Sequence, residues 1–188
     1  LVAIADYVLT HTPGPTVSNL SSTRALRDIT EMRGLRYDAA AVGEVNVVVK
    51  MKEIGAVIGG EGNGGIIYPE LHYGRDSLVG IALFLSHLAH KKSSMTALRA
   101  SYPNYVISKN KIDLDPSTNV DELLVLMAKK YETFEVDTTD GVKIYIDKEW
   151  VHLRKSNTEP IIRIYAESAS EEKASALALR IMEEINAF

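Results

Sequence analysis

The chain has 188 residues, a formal net charge of -4, 46% hydrophobic residues and 24% charged residues. This composition is typical of a soluble globular protein and excludes disordered and fibrous classes. The mildly acidic total argues against a general nucleic-acid binder, which normally carries a basic surplus. The absence of cysteine excludes disulfides, thiolate catalysis and cysteine-based metal sites, and it is compatible with a cytoplasmic protein.

The amino-terminal stretch LVAIADYVLTH lacks the basic start and the long apolar core of a signal peptide. The longest apolar run, LVGIALFL, is too short to cross a bilayer, so no membrane partner is expected. Because the first residue is Leu1 rather than methionine, we expect the chain to be a piece of a longer protein.

The first half of the chain is predicted to alternate helices and strands. Residues 21–34 have helical apolar spacing, and residues 35–42 and 56–60 are predicted strands. The stretch VNVVVKMKEI, residues 45–54, fits a strand by its β-branched residues and a helix by its apolar spacing. The sequence leaves both assignments open.

A long helix is predicted over residues 74–92, with Asp76 or Ser77 as its N-cap. It is apolar almost all round, which predicts that it is well buried. Strands alternating with helices favour a three-layer α/β unit.

A domain boundary is predicted in the polar segment KKSSMTALRASYPNY, which contains Pro103. Residues 1–95 are then an α/β three-layer domain, with a mixed sheet and helices on both faces. Residues 96–188 are a smaller α+β domain, with an antiparallel sheet and two helices.

The second half has clear local signals. Asn119 and Glu122 predict the capped start of a helix, and Asp140-Gly141 between alternating residues predicts a hairpin. The last helix should face inward through Ala174, Leu177, Ile181 and Ile185. The remaining predicted strands are residues 105–114, 150–154 and 161–167.

The stretch RKSNTEP, residues 154–160, joins two predicted strands and concentrates groups that bind anions. Arg154 offers a planar fork of donors that suits a phosphate, and Arg163 in the next strand can point back at the same anion. Successive backbone N–H groups in a tight loop can converge on an oxyanion. A solvated polar turn is the alternative interpretation, and the residues alone leave both open. Hydroxyl or amide groups come from Ser156, Asn157 and Thr158.

A second loop, GGEGNGGI, covers residues 59–66. Its glycines match the G-x-G-x-x-G spacing of dinucleotide sites, but that motif must open a helix. Here an apolar run stopped by Pro69 follows, so no nucleotide site is predicted. Glycines also let backbone approach a ligand closely, and Glu61 and Asn63 would then be displayed to sugar hydroxyls. A turn that binds nothing is the alternative.

No metal-binding or catalytic residue is predicted. The five histidines show no metal-ligand spacing, and no nucleophile lies in a recognisable pattern with a base. His87 and His90 lie in the apolar predicted helix, where packing or capping is the expected role. The pair Glu183-Glu184 is expected on a solvated helix face.

Both loops, in this order, resemble motifs of the α-D-phosphohexomutase family. RKSNTEPIIRIYAE is similar to the family's carboxy-terminal phosphate-binding loop, and GGEGNGG to its sugar-specificity loop, usually written G-E-x-S-G-H. AVGEVNVVVKMKE resembles the third-domain segment before that loop, and YGRDSLVGIALFL the helix after it. The resemblance covers the whole chain as the third and fourth domains of a four-domain enzyme. It also implies that residues 45–54 are helical.

The resemblance implies a mutase that interconverts hexose 1-phosphate and hexose 6-phosphate. An enzyme phosphoserine and a bisphosphorylated sugar intermediate would carry the transfer, with Mg²⁺ bound in another domain of the full-length enzyme. The implied partners are the hexose phosphate and the preceding domains of the same chain. The implied phosphate-binding residues are Arg154, Ser156, Asn157, Thr158 and Arg163, and the implied sugar-binding residues are Glu61, Asn63 and Glu44.

Two departures from the family pattern affect this expectation. Asn63 stands where many members have serine, and Gly65 where they have histidine, which leaves open whether the sugar is glucose, mannose or glucosamine. The phosphoserine loop and the Asp-rich metal loop, which the family places in its first two domains, do not occur in these residues. We therefore expect the fragment to be inactive alone and to hold no cofactor. The alternatives are a stand-alone, non-catalytic module that binds phosphosugars or other anions, and a purely structural interaction domain.

Overall fold

The computed structural model describes residues 1–115, 118–156 and 161–187. The chain forms two compact units, Leu1–Asn104 and Tyr105–Phe188. The helices of the first unit are α1 (Val2–His11), α2 (Ala25–Glu31), α3 (Glu44–Ile54), α4 (Ser77–Lys91) and α5 (Met95–Ala100). Its strands are β1 (Thr16–Asn19), β2 (Tyr37–Ala40), β3 (Ile58–Gly60), β4 (Ile66–Tyr68) and β5 (His72–Arg75).

The first unit is built around a five-stranded mixed sheet in the order β2-β1-β3-β4-β5. β1 runs parallel to β2 and β3, whereas β4 is antiparallel to both of its neighbours. Side chains of α3 pack with Val17 and Ile67 on one face, and side chains of α1 and α2 pack with Ile58 and Ile66 on the other. The predicted three-layer α/β fold is confirmed.

Residues 45–54 are helical, as the resemblance implied. α3 ends at Gly55, whose left-handed backbone (φ 65°) is a conformation that glycine adopts at little cost. After the glycine loop the chain continues as strand β4, so the structure supports the rejection of a dinucleotide motif, which would require a helix there.

The first unit extends to Asn104 rather than ending at residue 95. Its last helix, α5, places Leu98 in a buried position, and the Tyr102 hydroxyl donates a hydrogen bond to Asp6 of α1 at 2.8 Å. These contacts tie the segment after residue 95 to the first unit.

The prediction that the long helix is well buried was wrong. α4 is capped as expected, because the Asp76 carboxylate accepts hydrogen bonds from the backbone N–H groups of Leu78 and Val79. It packs mainly on α1 and β4. Three apolar residues on another side form an exposed stripe: Leu78 is 76% exposed, Ile81 55% and Leu85 58%.

The second unit contains a five-stranded antiparallel sheet in the order β6-β10-β9-β8-β7. Its two helices are α6 (Val120–Lys130) and α7 (Glu171–Asn186). The predicted small α+β fold is confirmed, including the helix capped by Asn119 and the hairpin at Gly141. The strands are β6 (Val106–Asp113), β7 (Glu135–Asp137), β8 (Val142–Ile146), β9 (Glu149–Lys155) and β10 (Ile161–Ser168).

One face of this second sheet carries the core. Met127 of α6 and Ile181 of α7 pack with Leu153, Ile162 and Ile164 of the sheet, and the predicted inward face of α7 is confirmed. Because side chains alternate along a strand, the neighbours of these core residues lie on the opposite face. None of the helices in the described residues combines the length and apolar character needed to cross a bilayer.

Candidate functional site

The predicted phosphate site begins with two arginines that are cross-strand neighbours. Arg154 of β9 pairs directly with Arg163 of β10, so the two residues share one face and their Cβ atoms are about 5 Å apart. This is the face opposite the helices. Like charges directly opposite each other destabilise a sheet, and a bound anion would remove that repulsion. The register therefore brings together the two cations that the sequence predicted would meet.

A third cation extends this row. Lys111 of β6 pairs with Arg163 from its other side, and its side chain is 60% exposed. Lys111 has no local signal in the sequence that links it to the arginines, because β6 is distant along the chain and only the strand order places it there.

Arg154 has a distant counter-charge in the carboxylate of Asp140. Its Nε lies 3.8 Å from the nearer carboxylate oxygen of Asp140, which is beyond hydrogen-bonding distance. The side chains of Arg154 and Asp140 are each 24% exposed. A partly buried guanidinium with a distant counter-charge can bind a phosphate at a lower dehydration cost than a fully hydrated one.

The remaining predicted phosphate ligands belong to the loop itself. The backbone N–H of Ser156 donates to the carbonyl oxygen of Ile161 at 3.1 Å, which joins the two ends of the loop, and Ser156 is only 7% exposed. The predicted ligands Asn157 and Thr158 lie outside the described residues.

His152 lies beside Arg154 in β9 and on the same face. It is 2% exposed, and its Nε2–H donates to the backbone carbonyl of Asp140 at 2.6 Å. Burial lowers the pKa of His152 to about 4, although this hydrogen bond favours the charged form. The imidazole is therefore neutral near pH 7 and adds no charge to the arginine pair.

This buried histidine should make the second unit sensitive to acid. An unfolded histidine titrates near 6.5, so between about pH 6.5 and 4 the unfolded chain takes up a proton that the folded chain does not. The free energy of unfolding should fall through this range, by roughly 3 kcal/mol near pH 4 at about 1.4 kcal/mol per pKa unit. Urea unfolding followed by fluorescence of Trp150, the only tryptophan, measures it. His152→Gln should lose this component and His11→Gln should keep it; equal pH slopes in all three proteins would contradict the assignment.

The predicted sugar loop is a tight turn between β3 and β4. The backbone N–H of Glu61 donates to Gly65 O at 3.0 Å, and that of Gly64 donates to Glu61 O at 3.2 Å. Gly64 has φ +92°, a conformation that side-chain-bearing residues rarely adopt. Asn63 is exposed, as predicted, although its side-chain oxygen accepts the backbone N–H of Gly65 at 3.0 Å.

Glu61 is not displayed on the surface, which corrects the sequence-based expectation. It is 5% exposed, and a buried carboxylate needs partners. Its Oε1 accepts from Asn19 Nδ2 at 2.9 Å, and its Oε2 lies 3.4 Å from Nη1 of Arg75. Asn19 is itself held by Ser22, whose hydroxyl donates to the Asn19 side-chain oxygen at 2.7 Å.

Arg75 joins Glu61 to the third predicted sugar residue, Glu44. One Glu44 oxygen accepts the backbone N–H of Arg75 at 2.9 Å, and the other accepts its Nε–H at 2.8 Å. These hydrogen bonds, the backbone one first, lower the pKa of Glu44, which therefore stays ionised. The structure brings together Glu44, Glu61 and Asn63 around an arginine that sequence reasoning missed.

These residues border an open cleft of about 470 Å³. Its charged groups are Glu44, Arg75 and Asp76. The carboxylate of Glu61, which is buried behind Arg75, is a further negative group close to the cleft. Hydrogen bonds from the backbone N–H of Val79 and from His72 lower the pKa of Asp76. Among the described residues, no three His, Cys, Asp or Glu side chains are arranged to hold a metal ion. The cleft is lined by Glu44, Asn63, Gly64, Gly65, Arg75, Asp76 and Ser77.

Two protein-family models match the chain. Residues 1–105 match phosphoglucomutase/phosphomannomutase, alpha/beta/alpha domain III, and residues 109–184 match the phosphoglucomutase/phosphomannomutase C-terminal domain. The chain belongs to the phosphoglucomutase/phosphomannomutase family. Within that family it corresponds to the third and fourth domains, as the two loop motifs indicated.

Mutases of two other organisms are among its relatives. A phosphoglucomutase/phosphomannomutase of Thermococcus kodakarensis is 35% identical over 187 residues, which is 96% of this chain and 41% of the relative. A phosphoglucosamine/phosphogalactosamine mutase of Sulfurisphaera tokodaii is 37% identical over 163 residues, 86% of this chain and 36% of the relative. The chain thus spans about two fifths of the length of these mutases.

A solved structure shares the fold. A phosphoglucomutase/phosphomannomutase family protein from Burkholderia thailandensis superposes with a TM-score of 0.80 at 24% identity, covering 100% of this chain and 40% of that protein. At this identity the likeness supports the architecture of both units and leaves the sugar unassigned.

Proposed function

We propose that this chain is the substrate-binding half of a phosphohexomutase, an intramolecular phosphotransferase that interconverts hexose 1-phosphate and hexose 6-phosphate. The observation that carries the proposal is the direct pairing of Arg154 with Arg163 beside a loop that the family uses for phosphate. Ser156, Asn157 and Thr158 would complete that site, and Glu44, Glu61 and Asn63 would form the sugar side. Phosphoglucomutase, phosphomannomutase and phosphoglucosamine mutase activities all fall within the proposal.

The chemical task of these residues is positioning. Phosphoryl transfer depends mainly on alignment and charge stabilisation, and holding the non-reacting phosphate fixes the other end of the sugar toward the phosphoserine of the full enzyme. Two arginines suit this task because each can donate two parallel hydrogen bonds to phosphate oxygens. The sugar side needs acceptors and donors for hydroxyl groups, which carboxylate and amide side chains supply.

Mg²⁺ in the full-length enzyme is part of the proposal, held by residues outside this chain. The described residues do not fit a metal site, so no step is assigned to a metal here. When bound, the ion would neutralise charge on the phosphoryl group being transferred.

A cytoplasmic location is also proposed, and the absence of cysteine is compatible with it.

The proposed partner of this chain is the remainder of the same mutase. Relatives are more than twice as long as the matched region, and the exposed apolar stripe formed by Leu78, Ile81 and Leu85 is the kind of surface that a neighbouring domain covers.

A coupled assay with glucose 1-phosphate, mannose 1-phosphate and glucosamine 1-phosphate tests the proposed function. The intact protein should convert at least one of them, and the 188-residue chain made alone should convert none, because these residues contain no phosphoserine loop. Turnover by the chain alone would overturn the assignment of these residues to binding. An intact protein that binds these sugars without converting them would favour a phosphosugar-binding module instead.

A further inference from the structure

We propose that Arg75 determines which sugar the cleft accepts. Its guanidinium, held by Glu44, occupies the space over Gly65 and donates hydrogen bonds to the hydroxyl groups of the carbohydrate. This inference rests on the proposed function and adds a ligand-contacting residue that lies outside both loop motifs.

Arg75 is fixed from two directions. It is the last residue of β5, and Glu44 is the first residue of α3, so their two hydrogen bonds at 2.8 and 2.9 Å connect a strand to a helix. Arg75 Nε is used by Glu44, and Nη1 lies at the longer distance of 3.4 Å from Glu61. The side chain is nevertheless 46% exposed. A guanidinium anchored at Nε and open at its far end is placed to donate into the cleft.

Gly65 supplies the space for Arg75. A Cβ atom at position 65 would stand 2.6 Å from Cδ of Arg75, which is too close for both atoms to remain in place, and 3.2 Å from Cγ of Arg75 and from Oδ1 of Asn63. Unlike Gly64, Gly65 does not have the positive φ that favours glycine. A side chain at position 65 would therefore overlap most severely with Arg75, although the backbone conformation would permit one. Residues 65 and 75 compete for one volume at the rim of the cleft.

The charge of the cleft indicates which part of the substrate it receives. Glu44, Glu61 and Asp76 outnumber the single guanidinium of Arg75, so a phosphate group would be repelled. The cleft therefore suits the hydroxylated or amino-bearing part of a sugar, which carries no negative charge. Glu44 then acts through Arg75, as a positioning residue.

The test uses the intact protein and the same three sugar 1-phosphates. Arg75→Ala should reduce the ratio of kcat/KM between the preferred sugar and the next by about tenfold or more, since loss of a donor to a hydroxyl changes discrimination by this order. Arg75→Lys should give a ratio between those of the wild type and Arg75→Ala, because lysine keeps the positive charge but lacks the planar guanidinium. Glu44→Gln should also give a kcat/KM ratio between those of the wild type and Arg75→Ala. Partial unfolding lowers all three rates together and leaves the ratio unchanged.

Two further variants complete the design. Gly65→Ala should displace Arg75 and lower the ratio of kcat/KM between the two sugars. The double variant Gly65→Ala with Arg75→Ala should have the same ratio as Arg75→Ala alone, because the side chain at position 65 and the Arg75 side chain fill the same space. The matched control is Arg36→Ala at the opposite edge of the sheet, another exposed arginine with a carboxylate partner, Asp38 at 2.6 Å. An unchanged ratio in Arg75→Ala, or strictly additive effects, would overturn the inference alone. A wild-type protein inert toward every sugar phosphate would overturn the proposed function with it.

Discussion

Arg154→Ala should lower kcat/KM of the intact protein for its hexose phosphate by roughly 100-fold or more. Each hydrogen bond to a charged group contributes about 1.5–3 kcal/mol, a bidentate guanidinium makes two, and about 1.4 kcal/mol corresponds to tenfold. Most of the change should appear in KM, because the role proposed for this residue is to hold the non-reacting phosphate. Steady-state kinetics with each sugar 1-phosphate measure it, and inorganic phosphate should inhibit the variant less than the wild type.

Two comparisons make this expectation specific. Arg163→Ala should show the same type of defect, because Arg163 pairs with Arg154 on the same face. Arg180→Ala is the control, since Arg180 is an exposed arginine on α7, the helix that packs on the other face of the same sheet. An unchanged kcat/KM in Arg154→Ala, or an equal loss in Arg180→Ala, would remove the phosphate site from these strands.

Gly141→Ala should strongly destabilise the second unit, in which Gly141 is the one glycine of the sequence. Gly141 has φ +78°, and a Cβ atom there would stand 2.1 Å from the carbonyl oxygen of Leu153 and 3.1 Å from Cα of Arg154. The left-handed backbone costs about 1–2 kcal/mol for other residues, and overlap with a fixed neighbour adds about 1–3 kcal/mol. Because the overlap involves the strand that carries Arg154, phosphate affinity should fall as well. Urea unfolding followed by Trp150 fluorescence measures the loss.

Gly34→Ala is the control for a left-handed glycine outside the second unit. Gly34 has φ +68°, and nothing lies within 4 Å of the position its Cβ would take. It belongs to the first unit, so the Trp150 transition should stay at the wild-type urea concentration. If the Trp150 transition of Gly141→Ala occurs at the same urea concentration as that of Gly34→Ala, the hairpin accommodates the added methyl group, and the prediction is wrong.

Much of the fold could be predicted because its signals are local. Asn119 and Asp76 cap the helices that they were predicted to cap, and Gly141 marks a hairpin. Periodicity did not distinguish strand from helix over residues 45–54, where β-branched residues occupy a helical face. It also failed for α4, because an apolar pattern tells which residues avoid water and cannot tell what covers them.

The candidate site was predictable only where one motif contained its residues. Arg154 and Arg163 lie close in sequence, whereas Lys111 joins them through strand order. Likewise, Glu61 was found by its loop, but its burial depends on Asn19 and Arg75, which come from other strands. Contacts between residues far apart in the chain produce no periodic pattern in a single sequence, so they could not be predicted.

The pairing of β9 with β10 also limits how this protein can change during evolution. A shift of one residue along a strand sends every following side chain to the opposite face. A single insertion between Trp150 and Arg154 would turn the guanidinium toward Met127 and Ile181 and bring a hydrophobic residue to the proposed phosphate site. Single substitutions in β9 leave the other side chains on their faces, whereas an insertion or deletion keeps the faces only if it involves an even number of residues.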